Sequence, residues 1–175
     1  GVPFVLYYNE DILNELGEKA PETWDDFARI CKEATKDTDG DGKVDQYGFA
    51  CGLNTSDIGA TQILNAYYYG ALWQNGGQIY DDDLKSVTFA NEEGKEAMTW
   101  LKDLTQYMNT DYMSQSWSDA FANVFGAGKA AFGITRSSQT DETSFKKTYP
   151  DLNWDFVTSL QQKEYGTFGA TDCLT

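Results

Sequence analysis

The stretch "DTDGDGKVDQYG", residues 37–48, sets Asp37, Asp39, Asp41 and Asp45 close together, with Gly40 and Gly42 between them and Lys43 as the lone cation of the run. Carboxylates this close repel one another, so a folded loop needs a cation, a basic patch from elsewhere, or water around splayed side chains. Calcium is a hard ion that takes about six to eight oxygens, and an EF-hand-type loop supplies them from positions 1, 3, 5, 7, 9 and 12, with glycine at 6 for the sharp turn. Counted from Asp37, the loop offers Asp39 at 3, Asp41 at 5, Gly42 at 6, the Lys43 carbonyl at 7 and Asp45 at 9. Position 12 is Gly48, so a bidentate ligand has to come from Asp45 itself, from a carboxylate distant in sequence, or from water. The expected role is structural, a calcium ion stapling the helix that ends near Lys36 to the strand that starts near Tyr47. The competing reading is a solvated acidic turn, since Asp and Gly are ordinary turn residues.

Catalytic constellations are thin by comparison. The chain has no histidine, which removes Ser-His and Cys-His nucleophile systems and the usual zinc sites. There is no G-x-S-x-G. "GAGKAA", residues 126–131, formally fits G-x-G-x-x-A, but it follows a helical pattern and precedes a strand, the reverse of a dinucleotide fingerprint, and no Ser or Thr follows its Gly-Lys. The 28 acidic residues make a glycosidase-like carboxylate pair easy to draw and impossible to assign without geometry. Against 13 basic residues they give a net charge of −15, which repels nucleic acid and anionic membranes. Cys31, Cys51 and Cys173 are too widely spaced for a disulfide framework or a CxxC metal site and read as small buried residues.

The elements that must position any site follow from periodicity. "VPFVLYY" is a β-branched and aromatic strand ending at Asn9, which caps a short helix stopped at Gly17. Thr23 caps "WDDFARICKEATK", whose Trp24, Phe27, Cys31 and Ala34 recur at helical spacing. "QYGFACG" predicts a strand, "SDIGATQILNAYYYGALW" a largely buried helix, "QIYDDDLKSVTFA" a hairpin, and "EEGKEAMTWLKDLTQYM" a long helix capped by Asn91. "SWSDAFANVFGAG" and "TDETSFKKTYP" read as shorter helices, and "KAAFGIT", "NWDFVTSL" and "YGTFGATDCLT" as strands. The class is α/β. No linker or repeat marks a boundary, so residues 1–175 read as a single domain, with both ends looking like strands cut abruptly. The opening "GVPFVLYYNED" has neither the basic start nor the apolar length of a signal peptide, and an export signal is expected outside this sequence.

The order "GVPFVLYYNEDILNELG", "PETWDDFARICKEATKDTDGDGKVDQYGF", "QNGGQIYDDD", "VTFANEEGKEAMTWLKDL", "FGAGKAAFGI" resembles the second lobe of an extracellular solute-binding protein of the sugar-type family that serves ABC importers. The resemblance implies one lobe of a type-II periplasmic-binding-protein-like fold, with helices around a central mixed sheet cut at both hinge crossings. Residues 1–9 and 165–175 would be the hinge-proximal strands. It further implies no enzymatic activity, a carbohydrate held in an interlobe cleft, and as partners a first lobe of the same protein and a membrane permease. The place would be extracellular, as a surface lipoprotein or in a bacterial periplasm. A single acidic loop like the one above occurs as a structural calcium site in some such proteins. The chain departs from the family in "QQKEYG", residues 161–166, where relatives carry a Pro/Gly-rich loop.

Sugars are held by aromatic faces and by planar polar side chains that bond hydroxyls. Trp24 and Trp100 lie on apolar helical stripes and read as packing, whereas Trp117, in "SQSWSD", has no evident internal partner and is a candidate sugar platform; Trp73 is a second. The resemblance places ligand contacts in "GLNTSDIG" and "TRSSQT", which nominates Asn54, Ser56, Asp57, Arg136 and Ser137, with Asp172 near the return crossing. Arg136 is the sharpest choice because its fork can donate to vicinal hydroxyls or pair with a carboxylate of an acidic sugar, set against an ordinary surface arginine. Asn54, Ser56 and Asp57 serve equally as caps of the following helix. The rival functions are a glycoside hydrolase and a calcium-dependent cell-surface carbohydrate-binding or adhesion module; the second is weakened because dockerins resemble duplicated acidic loops and this chain has one.

Overall fold

The computed structural model describes residues 2–54, 64–137, 142–167 and 169–170. Strand β1 (Val2–Asn9) leads into helix α1 (Glu10–Leu16), where the Asn9 side chain accepts from the N–H groups of Asp11 and Ile12 and Gly17 closes the end. Helix α2 (Trp24–Ala34) starts with a reciprocal cap, Thr23 Oγ1 accepting from Asp26 N and the Asp26 carboxylate accepting from Thr23 N, each at 3.1 Å. Thr23 Oγ1 also donates to Asp26 Oδ2 at 2.8 Å, and this bond foremost, with the Thr23 N–H, holds the Asp26 carboxyl below its usual range. The acidic loop then leads to strand β2 (Tyr47–Ala50). Beyond it come a π-helical turn (Leu64–Tyr68), α3 (Tyr69–Gln74), α4 (Glu92–Leu104), α5 (Trp117–Ala120) with a second π turn (Phe121–Phe125), β3 (Ala130–Arg136), α6 (Glu142–Thr148), β4 (Trp154–Val157) and β5 (Gly169–Ala170).

The five strands make a mixed sheet in the order β2-β3-β1-β4, with β5 added to the start of β1. β2 runs parallel to β3, while β1 is antiparallel to β3 and β4. The register sets Phe4 opposite Arg136 and Tyr8 opposite Phe132, so the start of β1 lies beside the ends of β2 and β3. Alternation along β1 loads both faces. Phe4 and Leu6 join Phe27, Phe49, Phe132 and the helices α1 to α4 in the larger core, and Val5 and Tyr7 join Phe121, Phe125 and Phe145 in the smaller one. Trp24 and Trp100 pack as expected, stacked with centroids 4.1 Å apart.

Two expectations change. The "QIYDDDLKSVTFA" segment is a loop closed by one bridge, Tyr80 to Val87, and not a hairpin ladder. Asp81 Oδ1 accepts from the N–H groups of Lys85 and Ser86, and this local bonding competes with strand pairing. The helix after β2 begins, within the described residues, as a π turn; it buries both Tyr67 and Tyr68. The "QQKEYG" loop is pinned to the body: Gln161 pairs with Thr23, and the N–H groups of Lys163 and Glu164 both donate to the Gln74 carbonyl at 2.9 Å.

Candidate functional site

The sheet has two ends, and they separate the two candidate sites. The acidic loop precedes β2, at the end where Tyr47 pairs with Ala130. Asp37 accepts from the N–H groups of Gly40 and Gly42, both at 2.7 Å, and these bonds lower its pKa. Asp45 is lowered by Thr38, whose hydroxyl and N–H donate to it at 2.8–2.9 Å. Both are therefore ionised at neutral pH. Asp37, Asp39 and Asp45 each direct a carboxylate oxygen to within 4.8 Å of the others. Oxygens about 2.4 Å from a shared calcium ion would be separated by no more than twice that, so the spacing fits. Gly42, at the sixth position, has φ +87°, which a side chain would strain. Asp41 departs from the expected set: its Oδ1 accepts from Lys43 N at 2.8 Å and it stands outside the triad.

The other end collects the carboxyl termini of β2 and β3, where open α/β sheets take their ligands. Arg136 ends β3 with its guanidinium 5.7 Å from the centre of the Phe4 ring, and Ser137 follows it. The Trp117 ring meets the same phenyl edge-on at 5.9 Å. This corrects the premise that Trp117 lacks an internal partner: it is 8% exposed and belongs to the larger core, because Ser116 caps α5 and turns the indole inward against Phe4. Asn54 is tied to the same group, its Nδ2 donating to the Ser114 carbonyl at 3.0 Å, three residues before Trp117. Asn54, Trp117, Arg136 and Ser137 are thus gathered around the start of β1. Trp73 is half-buried beside Tyr69 and the Gly166 backbone, near the return segment. Ser56, Asp57 and Asp172 lie outside the described residues.

Sequence reading missed the residues that hold this end in shape. Cys51 N donates to Asn109 Oδ1 at 2.8 Å, Leu53 N to the Tyr112 carbonyl at 2.7 Å and Asn54 N to the Gln115 carbonyl at 2.9 Å. Gly52 is obligatory there, since a Cβ would sit 2.1 Å from the Ser116 carbonyl oxygen. Burial pushes the Cys51 thiol up to about 12, which makes it inert at neutral pH. On the return path Thr167 Oγ1 donates to the Phe4 carbonyl at 2.6 Å, and Val2 and Pro3 pair with Ala170 and Gly169. The first and last described strands therefore lie side by side at the end that carries the polar cluster.

Solved structures share this fold. An ABC transporter solute-binding protein of Thermotoga lettingae, bound with α-D-tagatose, superposes with a TM-score of 0.73 at 18% identity over 94% of this chain and 40% of its own. One from Agrobacterium radiobacter, in complex with ribitol, gives 0.71 at 20% identity over 95% and 39%. The maltodextrin-binding MalE of Bdellovibrio bacteriovorus, bound to maltotriose, gives 0.67 at 15% identity over 95% and 39%. The chain thus spans about two-fifths of the length of these structures. No curated protein sequence matches it significantly. The sequence profile described as bacterial extracellular solute-binding protein matches residues 1–171, and the chain belongs to that family.

Proposed function

We propose that this chain is one lobe of a two-lobed protein that captures a sugar or polyol between its lobes and presents it to an ABC importer. The observation that carries the reading is the pairing of Val2 and Pro3 with Gly169 and Ala170 next to Asn54, Trp117, Arg136 and Ser137. Two chain crossings side by side make a hinge, and a polar cluster beside a hinge makes one wall of a cleft. Closure around the solute stabilises capture because each lobe adds contacts the other lacks. The chemistry is binding alone. Tagatose, ribitol and maltotriose in the related structures support a polyhydroxylated solute as the ligand class, and the family description supports an extracellular or periplasmic place. Arg136 and Asn54 would donate to hydroxyls, while Trp117 supports the wall from behind. Anchoring by a lipid is the expected form in single-membraned bacteria.

Calorimetry with ribitol, D-mannitol, D-tagatose and maltotriose on the full-length protein tests the reading. Binding of at least one is expected, and the isolated chain is expected to bind none at micromolar concentration. Micromolar binding by the isolated chain would contradict the two-wall site.

The acidic loop, at the other end of the sheet, is proposed as a structural calcium site built on Asp37, Asp39 and Asp45, supported by their mutual spacing and by the lowered pKa values of Asp37 and Asp45. It would hold the end of α2 to the start of β2, where Lys36 and Gln46 already pair. A thermal melt in calcium against chelator is expected to show a rise in midpoint, and an unchanged midpoint refutes the site.

A further inference from the structure

The four residues after β2 have every backbone N–H taken. Beyond the bonds from Cys51, Leu53 and Asn54 given above, Gly52 N donates to the Tyr67 hydroxyl at 3.4 Å. Three of the four acceptors belong to the turn 109–115, and the only side-chain amide among them is Asn109. Asn109 is 1% exposed and uses both ends of its amide. Its Oδ1 takes the Cys51 N–H, and its Nδ2 donates to Asp111 Oδ1 at 2.8 Å. Asp111 Oδ2 in turn accepts from Gln115 Nε2. The Asp111 carboxyl is held below its usual range, first by the Asn109 bond, so it is ionised at neutral pH and needs donors. One buried side chain therefore joins the first residue beyond β2 to the carboxylate that braces the turn on which the rest of the segment lies.

We infer that Asn109 is a positioning residue for the solute site, acting through the 51–54 segment by holding Asn54 in its binding shape before a solute arrives. The inference rests on the reading that this end of the sheet faces a solute. Asparagine is the residue type the place requires. Leucine would leave the Cys51 N–H and Asp111 Oδ1 without partners, and ionised aspartate would set a second carboxylate against Asp111. A protonated aspartate restores the pattern, since its carbonyl oxygen accepts from Cys51 and its O–H donates to Asp111. A segment that samples other shapes lowers apparent affinity in proportion to the fraction left competent.

The test is Asn109→Asp in the full-length protein, read by amide exchange and by calorimetry with ribitol, D-mannitol, D-tagatose and maltotriose, each beside wild type at the same pH. The groups that share the groove with Asn109 and Asp111 are Asp39, Asp41, Lys43, Asp45, Tyr47 and Lys129, unchanged between the two proteins. Tyr67 and Cys51, on the covered side, are pushed up by burial and stay neutral throughout. At about pH 7.5 the variant is expected to exchange the amides of 51–54 at least about tenfold faster, with β3 amides unchanged, and to lose affinity by about tenfold. Near pH 4.5, where one carboxyl of the adjacent pair is protonated, both effects are expected to shrink to within about threefold. Should the aspartate variant not fold, Asn109→Ser is read by the same two measurements, with the same selective loss and no acid recovery. Unchanged exchange, acceleration that spreads equally through β3, unchanged affinity, or an aspartate variant that acid does not restore overturns the assignment alone. A wild-type protein that binds none of the four solutes overturns the solute-capture reading, and the assignment falls with it.

Discussion

Gln74 is the residue whose replacement is expected to test the architecture most directly. It ends α3 almost fully buried, and its side chain joins two elements far apart in sequence. Trp24 Nε1 donates to its Oε1 at 2.7 Å and its Nε2 donates to the Gly166 carbonyl at 2.8 Å. Gln74→Leu keeps the volume but leaves a buried indole N–H without a partner, while the Gly166 carbonyl loses one of its two donors and keeps Ser159 Oγ at 3.0 Å. The orphaned N–H costs about 1–3 kcal/mol, so the expected loss centres on about 2 kcal/mol. In a chain of 175 residues, where about 1 kcal/mol moves the midpoint by about 2–4 °C, that is a fall of about 4–8 °C. Differential scanning calorimetry measures it, and a red-shifted tryptophan emission from the loosened Trp24 and Trp100 stack should accompany it. Gln74→Glu sharpens the test. An ionised carboxylate still accepts from Trp24 but faces the Gly166 carbonyl, while the protonated form donates to it. Burial raises the folded-state pKa above the unfolded one, so the deficit relative to wild type should be largest near neutral pH and shrink as pH falls towards about 5. A Gln74→Leu midpoint within about 1 °C of wild type would refute the latch, and a Gln74→Glu deficit that grows on acidification would refute the geometry of its bonds.

Two further outcomes follow from the same structure. Asp26, Asp37, Asp45, Asp81, Glu96 and Asp111 all have folded-state pKa values lowered by hydrogen bonds. A lowered carboxyl contributes stability that is present above its unfolded pKa and lost as pH falls through the folded one, so denaturant midpoints are expected to stay level from about pH 7 to 5 and drop below about pH 4. A midpoint that rises on acidification through that range would contradict the assignments. Gly52→Ala, which drives a methyl into the Ser116 carbonyl, is expected to cost about 1–3 kcal/mol or more and to shift amide exchange at 51–54 and 112–116 first; an alanine variant with wild-type exchange there would show that the two segments do not meet.

What was legible in the sequence is what the chain encodes locally. Asn9, Thr23 and Asn91 cap the helices they precede because a side-chain oxygen two or three residues from an unsatisfied N–H needs nothing else. The stripe Trp24, Phe27, Cys31, Ala34 is buried because helical spacing fixes one face. The hairpin at 78–90 failed for a local reason too, since Asp81 bonds forward along its own chain more readily than its strand pairs. Trp117 was misjudged because its polar sequence neighbours say nothing about Phe4, more than a hundred residues earlier.

The same contrast explains why one candidate site could be drawn from sequence and the other could not. A loop such as 37–45 carries its donors within one turn of chain, so types and spacing are most of its description. The wall of a cleft is assembled from strand ends, and what fixes each strand end is a partner from another part of the chain. Cys51 is held by Asn109, Asn54 by Ser114, Phe4 by Thr167, and Trp24 and Gly166 meet through Gln74. None of these pairs has a sequence spacing that a pattern could announce. Asn109, Thr167 and Gln74 are not themselves candidate contact residues, which makes their removal informative: such a change would alter the shape offered to a solute while leaving every candidate contact residue in place. Affinity lost in those variants, with the β3 register intact, would mean that solute choice in this lobe is set by buried amides before it is set by the exposed side chains.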